Sequence, residues 1–286
     1  LFALIGPTAS GKSDLAIKLA KKLNYEILSL DSLSIYKEID IASAKPSIEE
    51  LKMVKHYGIN EIYPNEKFDV MKFIEIYKKI PHKNIIIVGG TSFYLKTMIS
   101  GISKMPLISE EIKKEAKKLS FQDLQKTDPV YAAKISPNDT YRIQKGLEIY
   151  LATKMSPTEY FKQNPPVPVI ENLPIFEIEI DRQTLRERIK LRTKKMLEKG
   201  LIDEVAYLEH KYRDRRLPAL KAIGVKEVLD YFNGIYSKEE LYEKIVTNTA
   251  RLAKRQQIFN KTQFPNKISA PLKKLENIIL NRKCKI

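Results

Sequence analysis

The stretch that decides the fold is Gly6–Ser13, "GPTASGKS". It fits G-x-x-x-x-G-K-[ST] and lies between an apolar run, "LFALI" (1–5), and a helical run, "DLAIKLAKKL" (14–23), with Leu15, Leu19 and Leu23 on one face. Strand, glycine loop and amphipathic helix in that order make a phosphate-binding loop. Gly6 and Gly11 permit a tight wrap, so the amides along Thr8, Ala9 and Ser10 and the following helix N-terminus can point at a phosphate oxygen. Lys12 adds a point charge, and the Ser13 hydroxyl is placed to ligate Mg²⁺. The motif specifies a diphosphate or triphosphate without saying which.

Outward from this loop, short β-rich runs alternate with longer helical patterns. "YEILSLD" (25–31), "KNIIIVGG" (83–90), "IFEIEID" (175–181) and "ENIIL" (276–280) read as further strands. Continuous apolar strands separated by helices predict an α/β fold, a P-loop NTPase-like parallel sheet covered on both faces. Residues 107–163 are helical and Lys-rich, and "NPPVPVIENLP" (164–174) is a Pro-rich connector. Helical patterns also fill 182–211, broken at Gly200, and 238–263. The expected organisation is an α/β core over 1–104 and 174–286 with a helical insertion lobe over 105–173.

Composition narrows the function classes. The 286 residues carry a net charge of +16. Residues 1–180 hold 25 Lys+Arg against 22 Asp+Glu, whereas 181–286 hold 26 against 13, so the excess sits in the last third. Such an asymmetry suits a polyanionic partner such as nucleic acid. One cysteine, Cys284, excludes a disulfide within the chain and a cysteine-based zinc site, which fits a reducing cytosol. No apolar run approaches membrane-spanning length and no signal peptide is visible, so a cytoplasmic protein without a membrane partner is expected. The chain begins at Leu1 rather than Met, so a few upstream residues are expected.

Three further places carry chemistry. Asp31 and Ser32 leave the carboxyl end of the second strand, where open α/β sheets bind ligands. A carboxylate there can accept a proton, hold Mg²⁺ through water or cap a turn. The third strand ends Gly89-Gly90-Thr91, where a P-loop ATPase usually has the Asp of its Mg²⁺ shell. The glycines are expected to let substrate approach the backbone, and Thr91 offers a hydroxyl. Arg188 and Arg192, four residues apart on one helical face, are placed to close over phosphates.

In order, "GPTASGKS", "DSLSIY…DIASAKPS", "VGGTSFYLKTMISG", "DPVYAAKISPNDTYRIQKGLE", "LRERIKLRTKKMLEKGLIDEV", "ALKAIGVKEVLDYFNG" and "NTARLAKRQQIF" resemble the tRNA dimethylallyltransferase family along nearly the whole chain. The resemblance implies transfer of a dimethylallyl group from dimethylallyl diphosphate to N6 of the adenosine 3′-adjacent to the anticodon. The loop Gly6–Ser13 would then hold a leaving group. It implies Asp31 as general base, with Thr91 and Arg192 beside it in catalysis and Lys12 and Ser13 on the diphosphate. Contacts to the tRNA anticodon stem-loop would fall on Asp31, Ser32, Leu33, Ser34 and Lys45, and on Tyr141, Arg142 and Lys145. Others would fall on Lys221, Gly224 and Lys226, and on Lys254, Arg255, Gln256, Phe259 and Lys261. Mg²⁺ is the expected cofactor and a monomer the expected state. The chain departs from the family pattern at Ser34, Ser92, Lys145, Val225, Ala250 and Phe259, which stand where Gln, Gly, Arg, Tyr, Arg and Trp are frequent. Two other readings compete: an ATP-dependent small-molecule kinase, which leaves the basic last third unused, and a nucleic-acid-binding P-loop protein without transfer chemistry.

Overall fold

The computed structural model describes residues 1–81 and 83–283; Cys284 lies outside them. In chain order the first elements are β1 (Phe2–Ile5), α1 (Lys12–Leu23), β2 (Glu26–Ser29), α2 (Ile48–Met53), β3 (His56–Tyr57), α3 (Val70–Lys78), β4 (Ile85–Gly89) and α4 (Ser92–Ser100). Five short helices come next: α5 (Glu110–Ala116), α6 (Phe121–Thr127), α7 (Pro129–Ala132), α8 (Thr140–Thr153) and α9 (Pro157–Gln163). The chain then forms β5 (Ile175–Glu179), α10 (Arg182–Glu198), α11 (Leu201–Tyr212), α12 (Val225–Phe232), α13 (Lys238–Gln263), β6 (Ile268–Pro271) and α14 (Leu272–Lys283).

The six strands among the described residues form one sheet in the order β3-β2-β4-β1-β5-β6. Every pairing is parallel, with Ile5 opposite Gly89 on one side and Glu177 on the other. Because β1 and β4 are fully buried, their sequences are continuous apolar runs rather than alternating ones. The core over one face joins Leu15, Leu19 and Ala16 of α1 to Leu4, Ile86 and Phe176 of the sheet and to Leu275 and Ile279 of α14. Strand order places the carboxyl ends of β1, β4 and β2 side by side, so the loops after Ile5, Gly89 and Ser29 converge.

One expected strand is a helix. "ENIIL" lies inside α14, where Leu275 and Ile279 are buried one turn apart. Glu276 on the same helix pairs with Lys18 at 2.7 Å and Lys22 at 2.9 Å on α1. A short apolar triplet is compatible with either conformation, and the 3–4 spacing of Leu272, Leu275, Ile279 and Leu280 decides for the helix. The edge strand is β6, "ISAP", whose partner is β5 (Phe176 opposite Ile268). Its Pro271 is tolerated at a sheet edge.

The chain divides into two compact units, residues 1–96 with 172–286 and residues 97–171. The first holds the sheet. The second is helical around Leu124, Ile143 and Leu147. Within it Asp128 accepts from Tyr131 N at 2.8 Å and from Thr158 N at 2.6 Å, tying α7 to α9.

Candidate active site

The glycine loop is wound so that an anion fits and a side chain does not. A Cβ on Gly6 would stand 3.0 Å from Ser10 Oγ, and Gly11, at φ 89°, adopts a left-handed conformation as N-cap of α1. No side chain caps that helix, and among the described residues the amides of Gly11, Lys12 and Ser13 donate to no protein acceptor. Unfilled donors at a helix start attract negative charge. The amides of Thr8 and Ser10, expected to face the phosphate, are used inside the protein: Thr8 N donates to Gln256 Oε1 at 2.8 Å and Ser10 N to Pro7 O at 3.1 Å. Ala9, at φ 68°, packs against the cluster that Leu185 and Ile189 of α10 form with Val246 and Ala253 of α13.

Lys12 and Arg192 approach each other at this loop. Burial pulls the Lys12 ammonium from 10.5 down to about 8, the neighbouring Arg192 pushes the same way, and Asp31 opposes both. Burial also lowers Arg192, with Asp31 again opposing. The three groups are therefore close enough for their charges to interact, and two cations face one carboxylate. Among the described residues Lys12 Nζ donates only to Pro7 O, at 3.2 Å, and Arg192 Nη2 reaches Ser43 O at 3.5 Å. Arg188, one turn earlier, donates to the loop carbonyl of Ser10 at 2.9 Å, so it braces the loop from behind.

Asp31 fills one of the roles open to it, that of closing a turn. Its Oδ1 accepts from Leu33 N at 2.8 Å and Ser34 N at 3.2 Å, which closes the turn after β2. Among the described residues its second oxygen has no hydrogen-bond donor. Thr91 Oγ1 accepts from Ser32 N at 3.2 Å, and Thr91 N donates to Leu30 O at 3.1 Å, so Thr91 is stitched to the same turn. A recess of about 60 Å³ brings Thr8, Lys12, Ser13, Asp31 and Arg192 together. It shares Lys12, Ser13 and Arg192 with a wider open cavity of about 760 Å³.

The glycines at the end of β4 have a different cause from the expected one. A Cβ on Gly89 would lie 2.0 Å from Leu30 O, and one on Gly90 would lie 2.4 Å from Gln256 Nε2. Protein atoms, not substrate, occupy the space the missing side chains leave. Gln256 on α13 donates to Gly90 O at 3.1 Å while accepting from Thr8 N, so both ends of its amide join the glycine loop to the end of β4.

The residues expected to meet RNA divide into exposed and committed groups. Lys221, Lys226, Lys254, Arg255 and Lys261 are exposed, as is Ser32. Leu33 and Phe259 are half-buried, Phe259 with its ring edge-on to Phe264. Ser34 and Gly224 are buried. The Lys45 side chain is only 4% exposed. Its ammonium donates to Tyr36 O, Asp40 Oδ1 and Asn60 Oδ1 at 2.6–2.7 Å, so all three protons hold its own loop together. In the helical unit Tyr141 is 71% exposed, Arg142 pairs with Asp139 and Lys145 with Glu148.

Residues 34–263 match the family model described as IPP transferase. A tRNA dimethylallyltransferase of Nautilia profundicola is 77% identical over 98% of this chain and 99% of its own. One of Sulfurovum sp. is 56% identical over 97% and 96%. Among solved structures, the tRNA isopentenylpyrophosphate transferase of Bacillus halodurans superposes with a TM-score of 0.69 at 30% identity, covering 98% of this chain and 95% of that one. A eukaryotic dimethylallyltransferase acting on tRNA gives 0.82 at 26% identity, covering 95% and 73%. On matches of this length and identity, the chain belongs to the IPP transferase family.

Proposed function

We propose that this protein transfers the dimethylallyl group of dimethylallyl diphosphate to N6 of the adenosine 3′-adjacent to the anticodon in tRNA, releasing diphosphate. The observation that carries the reading is the pair of cations, Lys12 and Arg192, set against the single carboxylate Asp31 where an anion-binding loop opens. The cations suit the diphosphate and the carboxylate suits a proton. The relatives of this chain favour this reading over a small-molecule kinase.

An exocyclic adenine amine is a weak nucleophile because its lone pair is delocalised into the ring. As the N6–C1 bond forms and the C1–O bond to diphosphate breaks, N6 must lose a proton, and the free oxygen of Asp31 takes it. The negative charge gathering on the departing diphosphate meets the amides of Gly11, Lys12 and Ser13 together with the Lys12 and Arg192 side chains. These groups are in place before the reaction, so they need no reorganisation at that moment. The adenosine has to leave its stack to reach Asp31.

The described residues contain no cluster of three or more His, Cys, Asp or Glu able to hold a metal ion. A Ser13 hydroxyl beside a diphosphate fits Mg²⁺, which takes few protein ligands and shares phosphate oxygens. Ser13 would hold it, and when bound it would offset charge on the leaving group. No helix among the described residues is long and apolar enough to cross a membrane. We place the protein in the cytoplasm, acting as a monomer.

Incubation with radiolabelled dimethylallyl diphosphate and unmodified tRNA is expected to put label into RNA. ATP turnover with no label in RNA would favour the kinase. Lys254, Arg255 and Lys261 are exposed on α13 in the most basic part of the chain. If each neutralises one phosphate, the triple alanine variant should flatten the slope of log affinity against log salt by about 2–3 units. An unchanged slope would return all three to an ordinary solvated helix face.

A further inference from the structure

The loop between β2 and α2 lines the recess at Ser43, Ala44 and Pro46, alongside Lys12, Ser13 and Arg192. Three consecutive amides at its centre point at one carboxylate. Glu204 Oε2 accepts from Asp40 N at 2.8 Å and Ile41 N at 2.7 Å, and Glu204 Oε1 accepts from Ala42 N at 2.9 Å. Within the turn, Ala44 N donates to Ile41 O and Lys45 N to Asp40 O, so a grip on 40–42 also holds 43–45. Ser43 O, the next carbonyl, is the one that Arg192 reaches.

Glu204 lies in the first turn of α11 and Arg192 on α10, with Gly200 at φ 94° as the joint between the two helices. Two consecutive helices thus supply both the guanidinium and the carboxylate that grips the opposing loop. We infer that Glu204 is a positioning residue for the prenyl donor. It fixes the β2–α2 loop whose Ser43 O Arg192 reaches, and hence the aim of the guanidinium that meets the diphosphate. This inference rests on the transferase reading above.

A carboxylate is the group that does this well. Its two oxygens offer about four lone pairs to three donors, whereas the Gln amide has one oxygen and an NH₂ that would face an N–H. At least one amide of the turn would then lose its acceptor. The loop has other anchors, but at other points. Glu38, before the turn, is held by Lys211, Tyr207 and Tyr212, and Lys45, after it, holds Tyr36, Asp40 and Asn60. Only Glu204 holds the amides of 40–42 among the described residues.

The test compares wild type, Glu204→Gln and, as a control on the neighbouring tether of the same helix, Lys211→Ala. Displacing a binding group by about 1 Å can cost on the order of 10²-fold. Glu204→Gln is therefore expected to lower kcat/KM for dimethylallyl diphosphate by up to about 10²-fold, chiefly through KM, with RNA affinity unchanged. Amide exchange over 38–46 should quicken in the same variant, and calorimetry should show weaker binding of inorganic diphosphate. Lys211→Ala should keep the wild-type KM. A variant with unchanged KM and unchanged diphosphate affinity overturns the inference, and so does a loss confined to kcat per total protein, the signature of a smaller folded fraction. The diphosphate measurement needs no transfer, so it decides on Glu204 even where wild type fails to label RNA. That failure would overturn the transferase reading instead.

Discussion

Asp31→Asn is expected to slow single-turnover prenyl transfer by about 10²–10⁴-fold, the usual contribution of a general base, while leaving tRNA binding and the fold nearly as they are. The two oxygens of Asp31 are differently employed. Oδ1 accepts from Leu33 N and Ser34 N and closes the turn. The Asn carbonyl can keep both of those bonds. Its NH₂ then replaces the free oxygen and cannot take the proton from N6. Asp31→Ala should fall further, since it also opens the turn, at a stability cost of about 0.5–2 kcal/mol. Single-turnover rates normalised to folded protein by a thermal melt separate the two effects. Turnover near wild type in Asp31→Asn would reduce Asp31 to a turn former.

The second large effect is expected at Lys12. Lys12→Met keeps the length and removes the charge that meets the leaving group. It should lower kcat/KM for the donor by about 10²–10³-fold, as removal of one preorganised donor does elsewhere, with tRNA affinity intact. The titration carries a second signature. In the free protein Lys12 is lowered from 10.5 to about 8, and bound diphosphate favours its charged form. Above about pH 8 binding must therefore take up a proton, and donor affinity should fall by at most tenfold per pH unit. Between about pH 8 and 10.5 the unfolded chain holds the extra proton, so the stability of the unliganded protein should rise through that window. Calorimetry across this range checks the first statement and urea midpoints the second. Both trends should vanish in Lys12→Met. Tight ATP binding in preference to the prenyl donor would remove the assignment.

Much of the fold and the phosphate loop is legible locally. "GPTASGKS" specifies its own conformation through glycine spacing, and α1 begins at Lys12 and ends at Leu23 because Gly11 and Asn24 take left-handed conformations at its two ends. Ser237 and Glu240 announce the start of α13 as a capping box. The features that sequence does not reveal depend on distant partners. Strand β6 is "ISAP", weak by propensity, and exists because Glu177 and Ile178 lie alongside it. Strand β3 is two residues long and borrows its register from β2. The family resemblance puts Gln256 and Lys45 against RNA. Their bonds run to Thr8 and Gly90, 248 and 166 residues away, and to three groups within Tyr36–Asn60, contacts that no local pattern announces. Glu204 carries no motif at all, and only folding places its carboxylate under three amides 162–164 positions earlier.

Gly89 and Gly90 look alike in the sequence but differ in what evolution can do with them. At Gly89 any side chain would press its Cβ to 2.0 Å from the backbone oxygen of Leu30, an atom with nowhere to go. Invariance at that position among relatives would record only how closely the end of β4 runs beside the residue after β2, and would say nothing about a shared substrate. At Gly90 the obstacle is a side chain, Gln256. A lineage that shortens residue 256 frees residue 90 to grow, so the two positions should covary while Gly89 stays fixed.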